Sequence, residues 1–387
     1  MKDLSTWINM KTLQTGKIAI GNDFLGRKKI IQEIDSYLGM SQSVVLTAPR
    51  RYGKSSIIAE IVNRNTYHLK IISVDIMKIH SKRALAEHII DEAYGAIGIK
   101  GIIKKLQESS IEFFKTLMNH LTSIKLTIDD ISIETTDKLL KETNEDKLLE
   151  YALELPEQIA AKIGQKFLFI IDEFGEIDKL QSKNELIETM RTVFQVQQNV
   201  LFIFAGSQYA LMTKIFIDKD SAFHKFAVQI EVPVMKAKDF QQKFKEVFYA
   251  KEVSIPSDFA ELVEEISQGI PYYMVRVAQQ VLIDALLKGE MNTYCFSIRA
   301  AALKVFKKEQ SYFAAELSKF RGKKHDMTTL KALSLGKNHT QELEKHGVSR
   351  QNANAIVKTL LLTGVIEKKS NKYIITDPFL RRYVSKL

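Results

Sequence analysis

The stretch TAPRRYGKSSII, residues 47–58, directly follows a hydrophobic run and opens a helical pattern. Its Gly53-Lys54-Ser55 triplet is the end of a phosphate-binding loop, G-x-x-x-x-G-K-[ST], in which backbone N–H groups surround the phosphates of a nucleotide. Lys54 would add a positive charge, and the Ser55 hydroxyl would ligate Mg²⁺. Ala48 replaces the first glycine at the strand exit, where a methyl group is acceptable if the backbone keeps a negative φ. We predict an intact phosphate cradle whose contacts come from Pro49, Arg50, Arg51, Tyr52, Gly53, Lys54, Ser55 and Ser56.

A second motif, KFLFIIDEF (166–174), is a hydrophobic strand that ends in two adjacent carboxylates. Beside a phosphate loop, Asp172 is placed to hold magnesium, and Glu173 to orient and deprotonate an attacking water. Ser207 follows the strand VLFIFAG, where a polar side chain can contact the γ-phosphate or the water. Structural alternatives exist, because an Asp-Glu pair often caps a turn or helix and a serine hydroxyl often satisfies a turn. The motifs together predict a Mg²⁺–nucleotide site with Ser55 and Asp172 as metal ligands and Lys54, Glu173 and Ser207 as catalytic residues.

Short β-branched and aromatic runs alternate with helical patterns through the first 235 residues. Their apolar character is continuous, which is typical of strands covered on both faces in a parallel sheet. The sequence therefore predicts an α/β core of the P-loop NTPase type. Several helices are predicted between the second and third strands, the clearest over 102–121 and 146–163. The predicted strands are SVVLT (43–47), KIISVDI (70–76), KFLFIID (166–172), VLFIFAG (200–206) and AVQIEV (227–232).

Beyond Val234 the strand patterns stop and amphipathic helices follow. We predict three domains: an α/β ATPase domain over 1–235, a helical lid over 236–315 and a winged helix-turn-helix over 316–387. The last of these rests on three short helical segments followed by VIEKKSNKYIITD (365–377), which is typical of two strands around a charged turn.

The formal net charge of +10 is concentrated at the C-terminal end, where Gln310 to Leu387 contain 15 Lys and Arg against 6 Asp and Glu. Such asymmetry favours an acidic partner, with DNA as the leading candidate and a solvated basic surface as the alternative. In the helix SRQNANAIVKTLLLTG, we expect the inward positions to be Ala355, Ile356, Leu360 and Leu361. The expected DNA contacts are Arg350, Gln351, Asn354 and Lys358 on this helix and Lys368, Lys369 and Lys372 on the wing.

Other function classes find no support in the sequence. Cys295 is the single cysteine, so a disulfide framework and a cysteine-rich zinc site are excluded. The eight histidines show no metal-ligand spacing. No apolar run is long enough to cross a bilayer, and the first residues do not resemble a signal peptide, so we expect a cytoplasmic protein without a membrane partner.

Five segments together resemble the archaeal-type ATPases, a branch of the AAA+ and STAND nucleotide switches. The segments are FLGRKK (24–29), APRRYGKSS (48–56), FLFIIDEF (167–174), GIP (269–271) and ITDPFLRRYV (375–384). The resemblance implies ATP as the nucleotide, a five-stranded core and a lid that closes over the base. By the same resemblance, Phe24, Gly26 and Arg27 would lie near the adenine, with pairing of Arg27 inside the fold as an alternative. Gly269 and Pro271 would start a lid helix that faces the nucleotide.

Three departures from the family pattern point to slow turnover. Besides Ala48, Lys28 stands where the family usually has an acid. In SAFHKF (221–226), Lys225 stands where the family often has an arginine that acts on a neighbour's nucleotide. Lysine lacks the planar bidentate clamp of arginine, so activation across subunits is weakened.

Three hypotheses follow for the role of the nucleotide. The first is a slow ATPase that couples its nucleotide state to DNA binding through the C-terminal domain. The second is a STAND-like switch, with nucleotide-dependent homo-oligomers, whose winged helix contacts protein, either its own ATPase core or a partner. The third is a regulatory ATP-binding protein that does not hydrolyse ATP.

Overall fold

The computed structural model describes residues 12–100, 140, 144–320, 322–369 and 372–387. Five parallel strands form one sheet in the order β2-β3-β4-β1-β5, which confirms the predicted α/β core. Strands β1 and β4 are buried throughout, in agreement with their continuous apolar character. The strands are β1 (Val44–Thr47), β2 (Lys70–Asp75), β3 (Phe167–Asp172), β4 (Val200–Gly206) and β5 (Val228–Glu231).

Helices cover both faces of this sheet. Alternate residues of β4 enter different cores: Ile203 packs in one hydrophobic cluster, and Phe202 and Phe204 pack in the other. The predicted helix over 146–163 is confirmed, since Asn144 caps its first turn and Gly164 ends it in the left-handed region. The predicted helix over 102–121 lies outside the described residues. The helices are α1 (Lys28–Gly39), α2 (Lys54–Arg64), α3 (Lys82–Ala96), α4 (Glu145–Ile163), α5 (Lys183–Phe194) and α6 (Tyr209–Phe216).

Four helices follow the sheet in the region predicted as the lid: α7 (Ala237–Tyr249), α8 (Phe259–Ser267), α9 (Pro271–Lys288) and α10 (Cys295–Ser318). Pro271 occupies the first turn of α9. Proline lacks a backbone N–H, and at this position an N–H would have no acceptor within the helix. Helix α10 continues through residue 315, the predicted limit of the lid, so the domain limits at 235 and 315 remain a prediction.

The C-terminal region contains three short helices and then an antiparallel hairpin, in the order predicted for a winged helix-turn-helix. The side chains of Asn338, Ser349 and Asp377 accept hydrogen bonds from the first turns of three of its helices. Its elements are α11 (Lys324–Ser334), α12 (His339–Glu344), α13 (Arg350–Leu362), β6 (Ile366–Lys369), β7 (Lys372–Ile375) and α14 (Pro378–Val384).

One hydrophobic cluster runs through the three parts of the chain. It includes Ile203 of the sheet, Phe244 and Val277 of the helices that follow, and Leu360 and Phe379 of the C-terminal region. At the carboxyl edge of the sheet, Pro49 and Ser207 share a cavity with Ile270 and with Asp377 of the C-terminal region. Within the described part of the chain, no helix has both the length and the apolar character that a membrane span requires.

Candidate nucleotide site

The phosphate loop lies between β1 and α2, at the carboxyl edge of the sheet. Gly53 precedes the first residue of α2 with φ +85°, and Arg51 also has a positive φ, of 72°. The left-handed region favours glycine, which explains the identity of residue 53. A Cβ atom on Gly53 would meet no atom of the chain within 4 Å, so the backbone angle, and not contact with neighbouring side chains, requires glycine here.

Ala48 adopts the conformation expected for a substituted first glycine. Its φ is negative, its side chain is buried, and its N–H donates to the carbonyl oxygen of Gly206 at 3.3 Å. The residue thus continues the pairing of β1 with β4 for one further step. The methyl group packs in the core beneath the loop and leaves the phosphate-facing side of the loop free.

Lys54, Asp172, Glu173 and Ser207 come together because β1, β3 and β4 are adjacent and end at the same edge. Lys54 Nζ lies 2.9 Å from Asp172 Oδ1 and 3.0 Å from Glu173 Oε1. Both the backbone N–H and the hydroxyl of Ser207 donate to Glu173 Oε2, at 3.0 and 2.8 Å. The two motifs that were separated by more than 100 residues in the sequence therefore form one cluster of charges.

Glu173 is the most constrained member of this cluster. Its φ is 49°, a left-handed conformation that is unusual for a residue with a side chain. Its N–H donates to Asp172 Oδ1 at 2.8 Å, which holds the two acidic residues in one turn. Both oxygens of the Glu173 carboxylate are occupied, one by Lys54 and the other by Ser207.

The predicted metal ligands flank the same cluster. Asp172 is half-buried, and Ser55 is exposed on the first turn of α2. The neighbouring Ser56 hydroxyl accepts a hydrogen bond from the N–H of Ala19 at 3.1 Å. Of the two serines in the motif, Ser55 is thus the one whose side chain faces solvent, while Ser56 anchors the N-terminal segment.

A cavity of about 230 Å³ opens beside the loop. Aromatic side chains, which suit a planar base, come to its wall from separate parts of the chain. Sequence reasoning missed residues 14–17 and 19 and six further residues of this wall, since only the fold brings them together. The predicted residues on its wall are Phe24, Arg27, Arg51, Tyr52, Gly53, Ser56 and Pro271, and the six further missed residues are Asp23, Leu25, Met235, Phe240, Tyr272 and Val275.

Gly26 and Gly269 do not line this cavity but support its wall. Both have positive φ, of 60° and 71°, which favours glycine. A Cβ atom on Gly269 would lie 2.4 Å from the backbone carbonyl oxygen of Met235, whereas one on Gly26 would meet the terminal methyl carbon of Met235, which can turn away. Gly269 also accepts a hydrogen bond from the N–H of Met235 at 2.8 Å. Gly269 therefore permits the backbone position of Met235, which is itself part of the wall.

Arg27 uses its guanidinium inside the fold, the alternative that the sequence left open. It donates to the carbonyl oxygens of Pro233 at 2.5 Å and Tyr52 at 3.0 Å. Burial lowers the pKa of Arg27 to about 10, although Asp239 and Tyr52 partly oppose the shift. Arg27 thus connects the phosphate loop to the chain that leaves the sheet.

Arg50 and Arg51 point toward the lid and the C-terminal region. Together with Pro49 and Ser207 they line a second cavity, of about 100 Å³, whose other wall includes Gly364 and Asp377. Arg51 Nη1 donates to Asp377 Oδ2 and to the hydroxyl of Tyr273, each at 2.5 Å. Asp377 belongs to the segment ITDPFLRRYV (375–384), but nothing in that motif alone indicates a contact with the phosphate loop.

The candidate nucleic-acid surface of the C-terminal region is exposed where predicted. Arg350, Gln351, Asn354 and Lys358 lie on the solvent side of α13, and Lys368, Lys369 and Lys372 are exposed on the hairpin. Lys369 pairs with Glu367 at 3.0 Å, and Lys368 also borders a cavity of about 240 Å³ between the hairpin and α6.

One predicted inward position of α13 is wrong. Ala355 is exposed, whereas Ala353, Val357 and Leu360 are buried. The spacing of these three, at i, i+4 and i+7, marks the inward stripe of the helix, and Ala355 lies on the other side. Ile356 and Leu361 are half-buried at the borders of the stripe.

The fold and the site define the class of the protein. A parallel sheet in the order β2-β3-β4-β1-β5, with a phosphate loop after β1 and an acidic pair after β3, is the core of a P-loop ATPase. Residues 24–277 match the model of a family of ATPase domains found predominantly in Archaea, and the chain belongs to this family. It is accordingly a nucleotide-binding, ATP-hydrolysing enzyme, which argues against the hypothesis of a non-hydrolysing binder.

Solved structures share this fold across the whole chain. The Walker-type ATPase PABY2304 of Pyrococcus abyssi is 18% identical, with a TM-score of 0.69, and the match covers 96% of this chain and 99% of that one. The ORC2 protein of Aeropyrum pernix, determined in ADPNP–ADP complexes, is 10% identical, with a TM-score of 0.56 and coverage of 97% and 96%. No curated protein is similar enough in sequence to match the chain.

Proposed function

We propose that the chain is a Mg²⁺-dependent ATP switch that communicates its nucleotide state to DNA through its C-terminal region. The observation that carries the nucleotide part is the position of Lys54, whose ammonium group lies within 3.0 Å of both Asp172 and Glu173 beside an open phosphate loop. In this proposal the base occupies the aromatic cavity, and the phosphates lie over the N–H groups from Arg51 to Ser55.

Five polar side chains would divide the work of hydrolysis. Lys54 would turn from the carboxylates toward the β- and γ-phosphates, since phosphate carries the greater negative charge. Ser55 and Asp172 would hold Mg²⁺, with Asp172 acting directly or through water. Release of Lys54 would free one oxygen of Glu173 to act on the attacking water, while Ser207 holds the other oxygen.

Slow turnover is consistent with this arrangement. Both oxygens of Glu173 accept hydrogen bonds, so the proposed general base is engaged until Lys54 moves. Lys225, at the position where the family resemblance implies an arginine, is exposed and available to a neighbouring subunit only as a flexible point charge. A resting state of this kind suits a switch better than a motor with rapid turnover.

DNA is proposed as the partner because the outward face of α13 and the hairpin combine basic and amide side chains. Arg350 and Lys358 are exposed on the helix that would enter a groove, and Gln351 and Asn354 can read base edges. Lys368, Lys369 and Lys372 would contact the adjacent phosphates. The excess of positive charge in the C-terminal fifth of the chain supports this assignment.

The test is fluorescence anisotropy of labelled duplex DNA, titrated with the full chain over a salt series, with and without Mg-ATP. We expect steeply salt-dependent binding that responds to Mg-ATP, and each lost phosphate contact should reduce the slope of log K against log salt by about 0.9. The double variant Arg350→Ala/Lys358→Ala should therefore reduce this slope by about twice the amount expected for one lost contact.

Lys288→Ala is the matched control, because Lys288 is exposed at the end of α9 and lies on a different surface. A chain that ends near Phe320 should lose binding altogether. Affinity that does not change with salt, or an equal effect of the Lys288 variant, would rule out α13 as the DNA-binding element.

A protein-directed switch is the second candidate, and one specific contact favours it. The turn between α13 and β6 packs on the ATPase core: a Cβ atom placed on Gly364 would lie 3.6 Å from the carbonyl oxygen of Ser207. The C-terminal region thus already contacts the ATPase core beside Ser207, which is proposed here as a catalytic residue. Light scattering with and without Mg-ATP would support this candidate if the particle mass changes with nucleotide while DNA has no effect on either mass or turnover.

A further inference from the structure

Arg51 connects the phosphate loop to two other parts of the chain. It is the residue shared by the aromatic cavity and the second cavity, which borders the C-terminal region. Its guanidinium Nη1 lies 2.5 Å from Asp377 Oδ2, and its Nη2 lies 3.6 Å from Glu309 Oε2 on α10. It also packs over the rings of Tyr272 and Tyr273, at 5.1 and 5.4 Å from their centroids.

The two oxygens of Asp377 have separate tasks. Oδ1 accepts hydrogen bonds from the N–H groups of Phe379 and Leu380, at 2.9 and 3.0 Å, and so caps α14. Oδ2 accepts from Arg51 and from the hydroxyl of Tyr273, the latter at 2.7 Å. Capping alone would need only one oxygen, so the Arg51 contact is a second function of the same carboxylate.

The local charges do not balance without Arg51. Glu309 is 2% exposed, and its Oε2 accepts no hydrogen bond within the described part of the chain. Among the described residues, Arg51 is the cation that forms an ion pair with Glu309 and with Asp377. Burial by itself would lower the pKa of Arg51, but Tyr273, Asp377 and Glu309 outweigh burial and raise it, so the guanidinium stays charged.

We propose that Asp377 is a positioning residue for the phosphate loop, and that it holds Arg51 toward the C-terminal region until the phosphates of ATP compete for the same guanidinium. This inference rests on the proposed nucleotide site. When Arg51 turns to phosphate, Asp377 and Glu309 lose their cation. Because an uncompensated buried carboxylate is costly, the C-terminal region separates from the lid and the two carboxylates become hydrated.

The proposal predicts that removing the charge of Asp377 strengthens the binding of Mg-ATP. A purely structural role for Asp377 predicts the opposite change in affinity. Asp377→Asn retains a side-chain oxygen that can cap α14 but removes the charge that competes for Arg51. We expect Mg-ATP, measured by isothermal titration calorimetry on the full chain, to bind at least about fivefold more tightly, the lower end of typical coupling between sites. A merely structural contact would instead weaken binding when removed.

Three variants make the test specific. The gain from Asp377→Asn should disappear in an Arg51→Met background. Glu316→Gln removes one negative charge from the wall of the same second cavity without an ion pair to Arg51, and should change affinity by less than about twofold. If Asp377→Asn does not fold, Tyr273→Phe removes the hydroxyl that bridges Arg51 and Asp377 without changing charge, and should shift affinity in the same direction.

Hydrogen exchange gives the reciprocal measurement, because coupling between two sites must act in both directions. Mg-ATP should increase amide exchange in the segment Pro378–Val384 of the wild-type chain and leave it unchanged in Arg51→Met. Slower exchange with Mg-ATP, or unchanged or weaker ATP binding by a folded Asp377→Asn chain, would overturn the proposal. Failure of the wild-type chain to bind Mg-ATP would overturn the nucleotide site itself, and this inference with it.

Discussion

Lys54 is the side chain on which the nucleotide site depends most directly, because it is buried between two carboxylates at the edge of the sheet. Its local motif predicts a phosphate contact, and the structure places its ammonium group beside the two carboxylates predicted for the same site. The residues that oppose its charge were also predicted from their strand, since the carboxyl ends of neighbouring parallel strands meet at one edge. At the scale of single residues, sequence and structure therefore agree best where a motif and a strand end coincide.

Lys54→Ala should abolish ATP binding while the chain stays folded. The substitution removes the positive charge that the phosphates require and leaves the backbone of the loop unchanged. Calorimetric titration with Mg-ATP measures the loss, and circular dichroism checks the fold. Lys288→Ala is the control, since Lys288 is exposed at the end of α9 and lies outside the loop. Tight ATP binding by the Lys54 variant would mean that the phosphates bind elsewhere.

Glu173→Gln should separate binding from turnover. Glutamine can still accept a hydrogen bond from Ser207 but cannot take a proton from water, so ATP should bind while hydrolysis falls by about 10²- to 10⁴-fold. Phosphate release under saturating Mg-ATP is the appropriate assay. Glu188→Gln, an exposed change on α5, should hydrolyse ATP at the wild-type rate. Equal turnover in the two variants would remove Glu173 from the mechanism.

At the scale of elements, the helices and strands followed the predicted order, and the error within α13 shows the limit of that reasoning. The sequence of α13 contains two small residues, Ala353 and Ala355, and either could face inward. The structure chooses Ala353 because Val357 and Leu360 continue its stripe toward the core. Which alanine faces inward depends on how the whole helix packs against the core. The residue type, which is alanine at both positions, does not determine it.

Gly269 lies in the turn between α8 and α9, and substituting it tests whether this turn requires glycine. Gly289, after α9, is the matched control. Both glycines follow a lid helix with φ near +70°, but an added Cβ has no neighbour within 4 Å at Gly289 and would lie 2.4 Å from the Met235 carbonyl oxygen at Gly269. Gly289→Ala should cost about 1–2 kcal/mol for the left-handed backbone.

Gly269→Ala should cost the same amount plus a further ~1–3 kcal/mol for the steric overlap. Thermal unfolding gives the loss of stability in each variant. The difference between the two losses is the steric contribution, because both variants share the backbone cost. Because Met235 lines the aromatic cavity, only the Gly269 variant should also weaken ATP binding. Equal melting temperatures would show that Met235 moves away at no cost.

For the whole molecule, the contact between lid and C-terminal region is the feature with the most consequences. The rings of Tyr273 and Phe379 stack at 4.2 Å with an interplanar angle of 12°. Phe379 is 6% exposed and belongs to the hydrophobic cluster that runs back to the sheet. The same contact places Asp377 beside Arg51 of the phosphate loop.

Phe379→Ala should destabilise the chain by about 3–5 kcal/mol, the usual cost of removing a buried phenylalanine. Phe296→Ala, at a side chain that is 69% exposed, should change stability by less than about 0.5 kcal/mol. Differential scanning fluorimetry compares the two, and a lower melting temperature is expected for the first alone. If the C-terminal region were loosely attached, the two variants would melt alike.

The sequence by itself determined the α/β class, the five strands, the phosphate loop and the acidic pair. Each of these rests on local information: a run of apolar residues long enough for a buried strand, or a short motif whose backbone geometry needs glycine at one position. The meeting of Lys54 with Asp172 and Glu173 also followed, because parallel strands place their carboxyl ends together.

The tertiary structure alone decided which residues complete the site from a distance. Arg51 meets Asp377 across 326 residues of sequence, Met235 enters the aromatic cavity between two glycines, and Glu173 is held by Ser207. These contacts depend on how the sheet, the lid and the C-terminal region pack on one hydrophobic cluster. No local pattern specifies that packing, since it arises from the burial of apolar surfaces that belong to all three parts together.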